Sequence, residues 1–466
     1  MKHLSLGYIV DHPKRDLPGA VQFARAALAR GCDAYIIPMY DQAFDIPLVA
    51  LDAVVVNFAR PANLDVVQAY QGMGLPVYVM DTEGGNHTVA GSNTPGRLAE
   101  LLRERGFSRL LSGYFFWGSA LRDVFAEHCG MPPERLIATG CPRFDYASSR
   151  WQPVLRKPEQ GYVLVNSNYP MINPRFSSSL TAEREAMVAV GWEGGYVDRL
   201  IAELKAAFKN FTENVARLAR DLPELHFVYR PHPFENVDFY KERFVNFPNV
   251  RVDGSGDALT AISNARCVLH LNCATAIEAT MLRTLPISLE YLNTPTLLNH
   301  APLPSQISKQ AHSYEDAVAW LRNTDAAAAS FAFEMVHEQY VYPWFHRNDG
   351  GASDRIVDAL LQQIEPRKAR PFVFKSMVGS RSNPRLGQCL QGITANLLGS
   401  LAASRLRATF NQARRDKQLD ADVIARNLHD LSAVSGEATP VVCNARHPVT
   451  GLPLASVHCR LPAGGQ

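Results

Sequence analysis

Short apolar runs alternate with amphipathic segments over about the first 350 residues, and this alternation restricts the fold more than any other feature. Residues 4–10, 34–39 and 75–80 each have the length of a buried strand, and the segments between such runs have helical periodicity. Strands that alternate with helices form βαβ units with a parallel sheet and right-handed crossovers. The chain is therefore predicted to be an α/β protein.

The chain contains two such series, separated by a proline-rich, charged stretch from Trp151 to Glu159. Its 466 residues allow two domains and an appendage. We predict an N-terminal Rossmann-like domain over 1–150, a linker over 151–160, a second Rossmann-like domain over 161–350, a helical basic extension over 351–433 and a flexible tail over 434–466.

One turn in the second domain has a composition that suits phosphate. The apolar run 225–229 ends in Arg230-Pro231-His232-Pro233, where the two prolines stop the strand. Ligands of open α/β sheets bind outside the carboxyl ends of the strands. Arg230 and His232 together can make charge-assisted hydrogen bonds to a phosphate. The alternative is a strand-ending loop whose cation pairs with Glu235.

Two other strand ends of this domain carry polar residues. Asn166, Ser167 and Asn168 follow the run 161–165 and can bind a ligand or cap the next turn. Thr275 and Glu278 open a helix after the run 267–272. Thr275 can cap that helix and bond a phosphate at its N-terminus. Glu278 can accept ribose hydroxyls, or it can be a capping carboxylate of the first turn.

In the first domain, the run 75–80 leads into Asp81-Thr82-Glu83-Gly84-Gly85-Asn86-His87. One of two neighbouring carboxylates can act as a general base or acid, and the glycines allow close approach of a ligand. The alternative is a glycine turn with solvated acids. The chain has no GxGxxG, so this is not a dinucleotide fingerprint. Another strand-end loop, 139–145, carries Arg143 and Asp145.

Four segments together resemble the bacterial surface carbohydrate biosynthesis protein family. These are 81–85, 140–145, 163–168 and 230–233. The acidic-Glu-Gly motif of the first domain, the His-Pro of the second and the small, Thr-containing helix start at Thr275 also resemble the GT-B glycosyltransferases that use CMP-activated acidic sugars, the bacterial sialyltransferases and Kdo transferases. The resemblance covers about residues 1–350 and implies a GT-B fold, with two Rossmann-like domains facing a central cleft.

The resemblance also implies roles for individual residues. In CMP-sugar enzymes the histidine of His-Pro contacts the donor phosphate, a Ser/Thr motif helps to hold it, and an acid serves as acid/base on the acceptor. By position, this implies His232 and Thr275 for the donor and Asp81 or Glu83 for the acceptor. The other residues carried over are Arg230, Asn166, Asn168 and Glu278 on the nucleotide-sugar side and Gly84, Gly85, His87 and Arg143 on the acceptor or cleft side. The chain departs from the family at Thr82, where a second acid often stands, and in having Thr275 as its single hydroxyl.

The chemistry that follows needs no cofactor. A nucleoside monophosphate leaves readily once its charge is neutralised, and Arg230, His232 and the helix at Thr275 can do this electrostatically. Glu83 would deprotonate the acceptor hydroxyl. No DxD motif occurs near a predicted strand end, so we predict no metal.

The C-terminal part of the chain is strongly basic between residues 367 and 417. This segment has eleven basic residues and one acidic residue, Asp416, against a net charge of +2 for the whole chain. A basic, apolar helix over 386–406 would lie on an anionic membrane surface. The alternative is a packed helical appendage or a partly disordered tail. Nucleic acid is not a predicted partner, because the basic stretch lacks interleaved aromatic residues.

The eight cysteines form no CxxC pair, and several lie in apolar runs, as buried thiols of a reducing compartment do. We recognise no signal peptide and no apolar stretch of the roughly 18–20 residues that a membrane span needs. The sequence predicts a cytoplasmic protein, peripheral on the inner membrane.

The predicted function is transfer of an acidic sugar such as Kdo from a CMP-activated donor to a growing cell-surface polysaccharide or lipid-linked glycan. Two alternatives remain open. One is a different GT-B chemistry, a CDP-glycerol-type polyol-phosphate transferase or a UDP-sugar enzyme. The other is a non-catalytic scaffold of a polysaccharide assembly complex.

Overall fold

A computed structural model of the chain describes residues 3–84, 94–158, 160–175, 179–189, 192–364, 397 and 399–462. It divides into two compact units. Unit 1 comprises Met1–Gly85, Ala99–Val154 and Phe345–Gln466, and unit 2 comprises Asn86–Leu98 and Leu155–Trp344. The chain after residue 345 therefore belongs to the same unit as the N-terminus.

Both units are built on β-sheets. The strands are β1 (Ser5–Val10), β2 (Asp33–Pro38), β3 (Ala53–Val56), β4 (Val77–Met80), β5 (Gly113–Phe116), β6 (Leu136–Ala138), β7 (Tyr162–Asn166), β8 (Phe227–Arg230), β9 (Val250–Val252), β10 (Ala265–His270), β11 (Leu285–Ser288), β12 (Lys309–Gln310), β13 (Val441–Arg446) and β14 (Pro453–Arg460).

Helices connect most of these strands. They are α1 (Pro13–Ala29), α2 (Gln42–Asp45), α3 (Leu64–Gly72), α4 (Pro95–Glu104), α5 (Phe107–Leu110), α6 (Ser119–His128), α7 (Leu180–Ala189), α8 (Gly194–Asp221), α9 (Val237–Phe244), α10 (Ala258–Ser263), α11 (Thr275–Met281), α12 (Pro295–His300), α13 (Pro302–Gln306), α14 (Tyr314–Arg322), α15 (Thr324–Ala329), α16 (Phe333–Val336), α17 (Tyr342–Phe345), α18 (Ala352–Gln363), α19 (Ser400–Thr409), α20 (Gln412–Arg415) and α21 (Ala421–Ser435).

Within its described residues, the sheet of unit 1 has the order β13-β14-β2-β1-β3-β4-β5-β6. Strands β1 to β6 pair in parallel, and the hairpin β13–β14 adds to β2 in antiparallel fashion. The strands are fully apolar where both faces are covered, as in Ala53–Val56. The described part of unit 2 has a second sheet, β12-β11-β10-β7-β8-β9, whose strands are all parallel. The predicted α/β class with two Rossmann-like units and a helical C-terminal region is confirmed.

The prediction that 434–466 is a flexible tail is wrong for the two strands β13 and β14. Leu454 and Val457 are fully buried in β14, and Val457 pairs with Ile36 of β2. Burial of the four consecutive side chains 454–457 on both faces of β14 outweighs the small-residue composition that suggested a mobile segment. Gly451, with φ +69°, lies between the strands in a backbone conformation that glycine adopts readily.

Two connecting segments contain helices. Residues 171–198 lack clear hydrophobic periodicity, but Leu180–Ala189 is a helix and α8 begins at Gly194, where the side chain of Glu193 caps it by accepting from two backbone N–H groups. Phe107–Leu110 forms a short helix, and β5 begins after it, at Gly113. No helix in the described ranges is long and apolar enough to cross a bilayer.

Candidate functional site

The carboxyl ends of four strands of unit 2 lie side by side. Asn166, the last residue of β7, is in register with Arg230 of β8 and with His270 of β10. His270 is in turn opposite Ser288, the last residue of β11. The parallel register therefore brings the polar segments that follow these strands to one edge, which we call the unit 2 edge.

Asn166 and Thr275 are in direct contact at the unit 2 edge. The Asn166 side-chain amide donates a 2.7 Å hydrogen bond to Thr275 Oγ1, and Asn166 is only 3% exposed. Its Oδ1 atom has no hydrogen-bond partner among the described residues. The Asn168 amide donates to the backbone carbonyl of Asn272, at 3.2 Å. The structure thus joins Asn166 to the first residue of α11 and Asn168 to the loop that precedes this helix.

Thr275 does not cap its helix, so this part of the prediction is wrong. The N-cap is Ala274, whose side chain accepts no hydrogen bond, and Thr275 is the first helical residue. The Thr275 hydroxyl instead accepts from Asn166 and lies 3.1 Å from Cys273 Sγ. Glu278 follows in the first turn and is 8% exposed.

The Arg-Pro-His-Pro turn fixes the orientation of His232. Its Nδ1 atom accepts a 3.2 Å hydrogen bond from the backbone N–H of Phe234. A neutral imidazole that accepts at Nδ1 carries its proton on Nε2, so His232 is a donor there. The ring of Phe234, which is 43% exposed, meets the His232 ring edge-on at 5.4 Å between centroids.

Arg230 is bonded to backbone carbonyl groups. Its two terminal nitrogens donate to the carbonyls of Ser255, at 2.5 Å, and of Gly256, at 2.7 Å. Burial lowers the pKa of Arg230, while Asp257 and Asp253 act in the opposite direction. Pairing with Glu235, the alternative suggested by the sequence, is wrong, because Arg230 is directed to the 255–256 loop.

Two charged or titratable groups near this edge were not identified as functional from the sequence. Burial lowers the pKa of His270 to about 3, and this fully buried imidazole lies 2.9 Å from Ser308 Oγ through Nε2. Glu235 is also fully buried, three residues after His232. Position in a strand-end motif was the one available signal for both, and it does not distinguish a buried side chain from an accessible one.

The predicted carboxylate pair of unit 1 follows β4. Asp81 is 8% exposed and accepts from the Tyr114 hydroxyl at 3.3 Å and from the Glu83 backbone N–H at 2.9 Å. Arg60 approaches Asp81 Oδ2 to 3.3 Å and Glu83 Oε2 to 3.4 Å. Arg15 lies 3.6 Å from the other Glu83 oxygen, and the Glu83 side chain is 51% exposed. We call this charged strand end the unit 1 edge.

Gly84 and Arg143, which were predicted to lie on the acceptor side, contact the same tryptophan. A Cβ atom on Gly84 would lie 2.8 Å from Trp117 Nε1, so only glycine fits there. The Arg143 guanidinium lies 4.8 Å from the ring centroids of both Trp117 and Phe144. Gly85 and His87 lie outside the described residues.

Asp145, from the same loop as Arg143, caps a distant helix. Its carboxylate accepts from the backbone N–H groups of Ala352, at 2.8 Å, and Ser353, at 2.9 Å, in the first turn of α18. Burial raises the pKa of Asp145 to about 6. Asp145 therefore stabilises unit 1 at the start of α18.

Basic residues of the C-terminal segment also reach unit 1. Lys417 lies 2.6 Å from Asp11, which follows β1 and is also bonded to Arg15, and Arg407 lies 2.6 Å from Asp41. Part of the positive charge predicted to face a membrane is therefore paired within the protein. Three more basic residues of the segment, Arg405, Arg414 and Arg415, are also described. The others lie within 365–396, outside the described residues.

Neither a protein-family model nor a curated protein matches the chain. Solved structures do. A UDP-GlcNAc 2-epimerase from Neisseria meningitidis is 14% identical over 78% of this chain and 100% of its own, with a TM-score of 0.47. The wall teichoic acid polymerase TagF, in a crystal soaked with CDPG, is 11% identical over 78% of this chain and 89% of its own, with a TM-score of 0.50.

At these identities the likeness concerns the fold. It supports the two-unit α/β architecture of the GT-B class, which the sequence resemblance implied. The CMP-sugar part of that resemblance stays a prediction. The chain is therefore an α/β protein with a GT-B-like fold.

Proposed function

We propose that this protein is a metal-independent glycosyltransferase that takes a sugar from a nucleotide-activated donor and transfers it to a glycan or lipid-linked acceptor. The donor nucleotide binds at the unit 2 edge, and the acceptor hydroxyl is activated at the unit 1 edge. The observation that carries this proposal is the unit 2 edge, where Asn166 is bonded to Thr275 and Nδ1 of His232 accepts from the backbone N–H of Phe234. The GT-B-class fold is consistent with it.

The donor side provides neutral hydrogen-bond donors for a phosphate. The Nε2–H of His232 donates to a phosphate oxygen. The Thr275 hydroxyl, which accepts from Asn166 and lies 3.1 Å from Cys273 Sγ, turns its own proton to a second phosphate oxygen. Arg230 adds positive charge close to this point while bonded to the 255–256 loop. Asn168 and Glu278 are the proposed contacts for the nucleoside. Together these groups stabilise the departing nucleoside phosphate.

On the acceptor side, exposure separates the two carboxylates. Asp81 is buried and bonded to Tyr114, Arg60 and the backbone of Glu83, so it holds the loop in place. The side chain of Glu83 is half exposed and can reach a hydroxyl. We therefore assign Glu83 as the general base and Asp81 as its positioning residue.

The donor we propose first is an acidic sugar such as Kdo, activated by CMP. A CDP-linked polyol is the main alternative, because TagF shares the fold and was soaked with CDPG. A UDP-sugar is the next, because a UDP-GlcNAc 2-epimerase was solved with UDP-GlcNAc bound. The same strand-end groups can serve all three, since they address the phosphate and not the base.

The test is release of nucleotide from a panel of CMP-, CDP- and UDP-activated donors, followed by chromatography. His232→Ala should lower the release rate at least about tenfold, which corresponds to loss of one hydrogen bond to a charged group. The matched control is His226→Ala, because His226 is exposed at the opposite end of the same strand region. Release that is equal in wild type and in His232→Ala would reject the proposed site, and no release from any donor would favour the scaffold alternative.

We also propose a cytoplasmic protein that attaches peripherally to an anionic membrane through the 367–417 segment. In the described part of this segment, Leu406 is 53% and Phe410 86% exposed, and Leu397 is 71% exposed. Since β14 belongs to the sheet of unit 1, truncation at residue 366 would disrupt the fold. Co-sedimentation of Leu406→Ser/Phe410→Ser protein with anionic liposomes is the better test. Binding equal to that of wild type would reject attachment through these side chains.

A further inference from the structure

Glu235 is a fully buried carboxylate in the turn that carries His232. Its oxygens accept hydrogen bonds from the backbone N–H of Tyr169, at 2.5 Å, from the Tyr240 hydroxyl, at 2.5 Å, and from the Ser167 hydroxyl. Two of these three donors belong to the loop that follows β7. The carboxylate thus bonds the loop after one strand to the turn after its neighbour.

The donors to this carboxylate in the described part of the chain are all neutral. Burial raises the pKa of Glu235, and the hydrogen bonds from Ser167, Tyr240 and the backbone act in the opposite direction. A buried carboxylate without a cationic partner is costly unless its oxygens are fully bonded. An apolar side chain of similar size would fill this position at a lower free-energy cost than a carboxylate. We therefore infer that the hydrogen bonds of Glu235, and not its packing, are the reason for a carboxylate here.

Backbone hydrogen bonds join the same two segments. The N–H of Arg175 donates to the carbonyl of Phe234, at 2.8 Å, and the N–H of Asn236 donates to the carbonyl of Asn173, at 2.9 Å. Pro174 and Glu235 form an isolated antiparallel bridge. We call the joined segments 167–175 and 231–236 the loop clasp, and the Glu235 carboxylate is its buried centre.

We propose that Glu235 is a positioning residue for nucleotide binding. Through the loop clasp it holds the 166–168 segment in a fixed position relative to His232, so that both can contact one nucleotide. This inference rests on the proposed function, because the proposed function assigns a nucleotide to the unit 2 edge. It adds a residue that touches neither donor nor acceptor but sets the geometry of those that do.

The first test is nucleotide affinity by calorimetry for wild type and Glu235→Gln. The amide keeps the size of the side chain but removes its charge. The hydrogen bonds from Ser167 and Tyr240 then either break or reverse direction, and all three bonds lose their charge assistance. Affinity should fall about tenfold, the equivalent of one charge-assisted hydrogen bond. The control is Glu203→Gln in the same unit, where a carboxylate accepts from Thr296 at 2.7 Å and from Thr294. This control should bind like wild type after a comparable loss of thermal stability.

The second test is amide hydrogen exchange of the unliganded protein. In Glu235→Gln, the amides of Tyr169, Arg175 and Asn236 should exchange at least about tenfold faster, while the β7 amide of Val163, which donates to His226, should not change. Equal affinity of Glu235→Gln and wild type overturns the positioning role. If wild type binds no nucleotide, the proposed function fails, and hydrogen exchange alone tests the loop clasp. Faster exchange in Glu235→Gln then supports the clasp, and unchanged exchange overturns it.

Discussion

The unit 1 edge and the unit 2 edge each lie at the carboxyl ends of parallel strands within their own sheet, yet their polar groups differ in kind. At the unit 1 edge, carboxylates meet guanidinium groups, with Arg60 within 3.4 Å of both Asp81 and Glu83. At the unit 2 edge, Asn166 and Thr275 bond to each other, and Arg230 bonds to backbone carbonyls. The sheets place polar groups at their strand ends in both units. The proposed roles, proton transfer at the unit 1 edge and anion binding at the unit 2 edge, rest on the different side chains found there.

The buried carboxylates of Asp81 and Glu235, one at each edge, also differ in their partners. Asp81 has a cation, Arg60, within ion-pair distance. Glu235 is bonded to neutral hydroxyl and backbone groups, and burial raises its pKa. Loss of one neutral donor therefore leaves more uncompensated charge at Glu235 than at Asp81. Carboxylates at edges that bind anions are expected to be held in this way, because a nearby guanidinium would be drawn to the ligand.

The largest expected effect is on the rate of transfer. Glu83→Gln should lower kcat by about 10²–10⁴-fold, because the amide cannot accept the acceptor proton. The free energy of unfolding should change by less than about 1 kcal/mol, because the ion pairs of Glu83 are long and half exposed. The control is Glu127→Gln, whose side chain is 75% exposed on unit 1. Wild-type turnover in Glu83→Gln would remove this residue from the mechanism.

The second prediction tests whether a buried carboxylate of unit 1 that is bonded to neutral donors also has a raised pKa. Asp145 is bonded mainly to backbone N–H groups, and burial raises its pKa from 3.8 to about 6. A carboxyl group with a raised native pKa stabilises the fold when protonated, and this contribution is lost as the pH rises through the window from about 3.8 to about 6.

Asp145→Asn removes that titration. The free energy of unfolding of Asp145→Asn minus that of wild type should therefore increase by up to about 3 kcal/mol from pH 3.5 to pH 7, because only wild type loses stability over this range. Urea denaturation of both proteins at the two pH values measures the difference. A constant difference across this range would show that backbone donors alone compensate the Asp145 charge.

The third prediction compares equal deletions at the two carboxylates. Tyr240→Phe removes a 2.5 Å hydrogen bond to Glu235, and Tyr114→Phe removes a 3.3 Å hydrogen bond to Asp81. We expect a loss of about 2 kcal/mol for Tyr240→Phe and less than about 1 kcal/mol for Tyr114→Phe, because Arg60 still compensates Asp81. Chemical denaturation measures both. Equal losses would remove the distinction between the two edges.

The smallest effect concerns the C-terminal segment. Lys417→Met breaks the 2.6 Å contact with Asp11 and should cost about 1 kcal/mol at low salt and less in 1 M NaCl. The control is Lys205→Met, at an exposed position on α8. A loss of more than about 2 kcal/mol would mean that Lys417 holds the charged cluster around Arg15 together.

Local patterns predicted most of the fold. Apolar runs of strand length, glycines and prolines at their ends, and helical periodicity all act over a few residues, so the strands of both sheets and the strand-end positions of Asp81 and His232 could be identified. The β13–β14 hairpin could not, because it depends on pairing with β2, about 420 residues earlier in the chain.

The candidate site was less predictable than its position. Sequence proximity suggested that Arg230 pairs with Glu235, but their side chains point to a backbone loop and to a buried network, respectively. Thr275 was expected to cap its helix, but the N-cap position falls one residue earlier. A strand-end motif predicts the backbone position of a side chain, but its contacts depend on the conformation of the neighbouring loops.

The most direct test is the thermal stability of the full chain with CMP, CDP, UDP and GDP at equal concentrations. A ligand that binds the native state raises its apparent stability, by about 2.7 kcal/mol at a hundredfold excess over the Kd. We predict a stabilisation by CMP that His232→Ala removes and His226→Ala keeps. Stabilisation by none of the four nucleotides, or one that persists in His232→Ala, would contradict the assignment of the unit 2 edge as a nucleotide site.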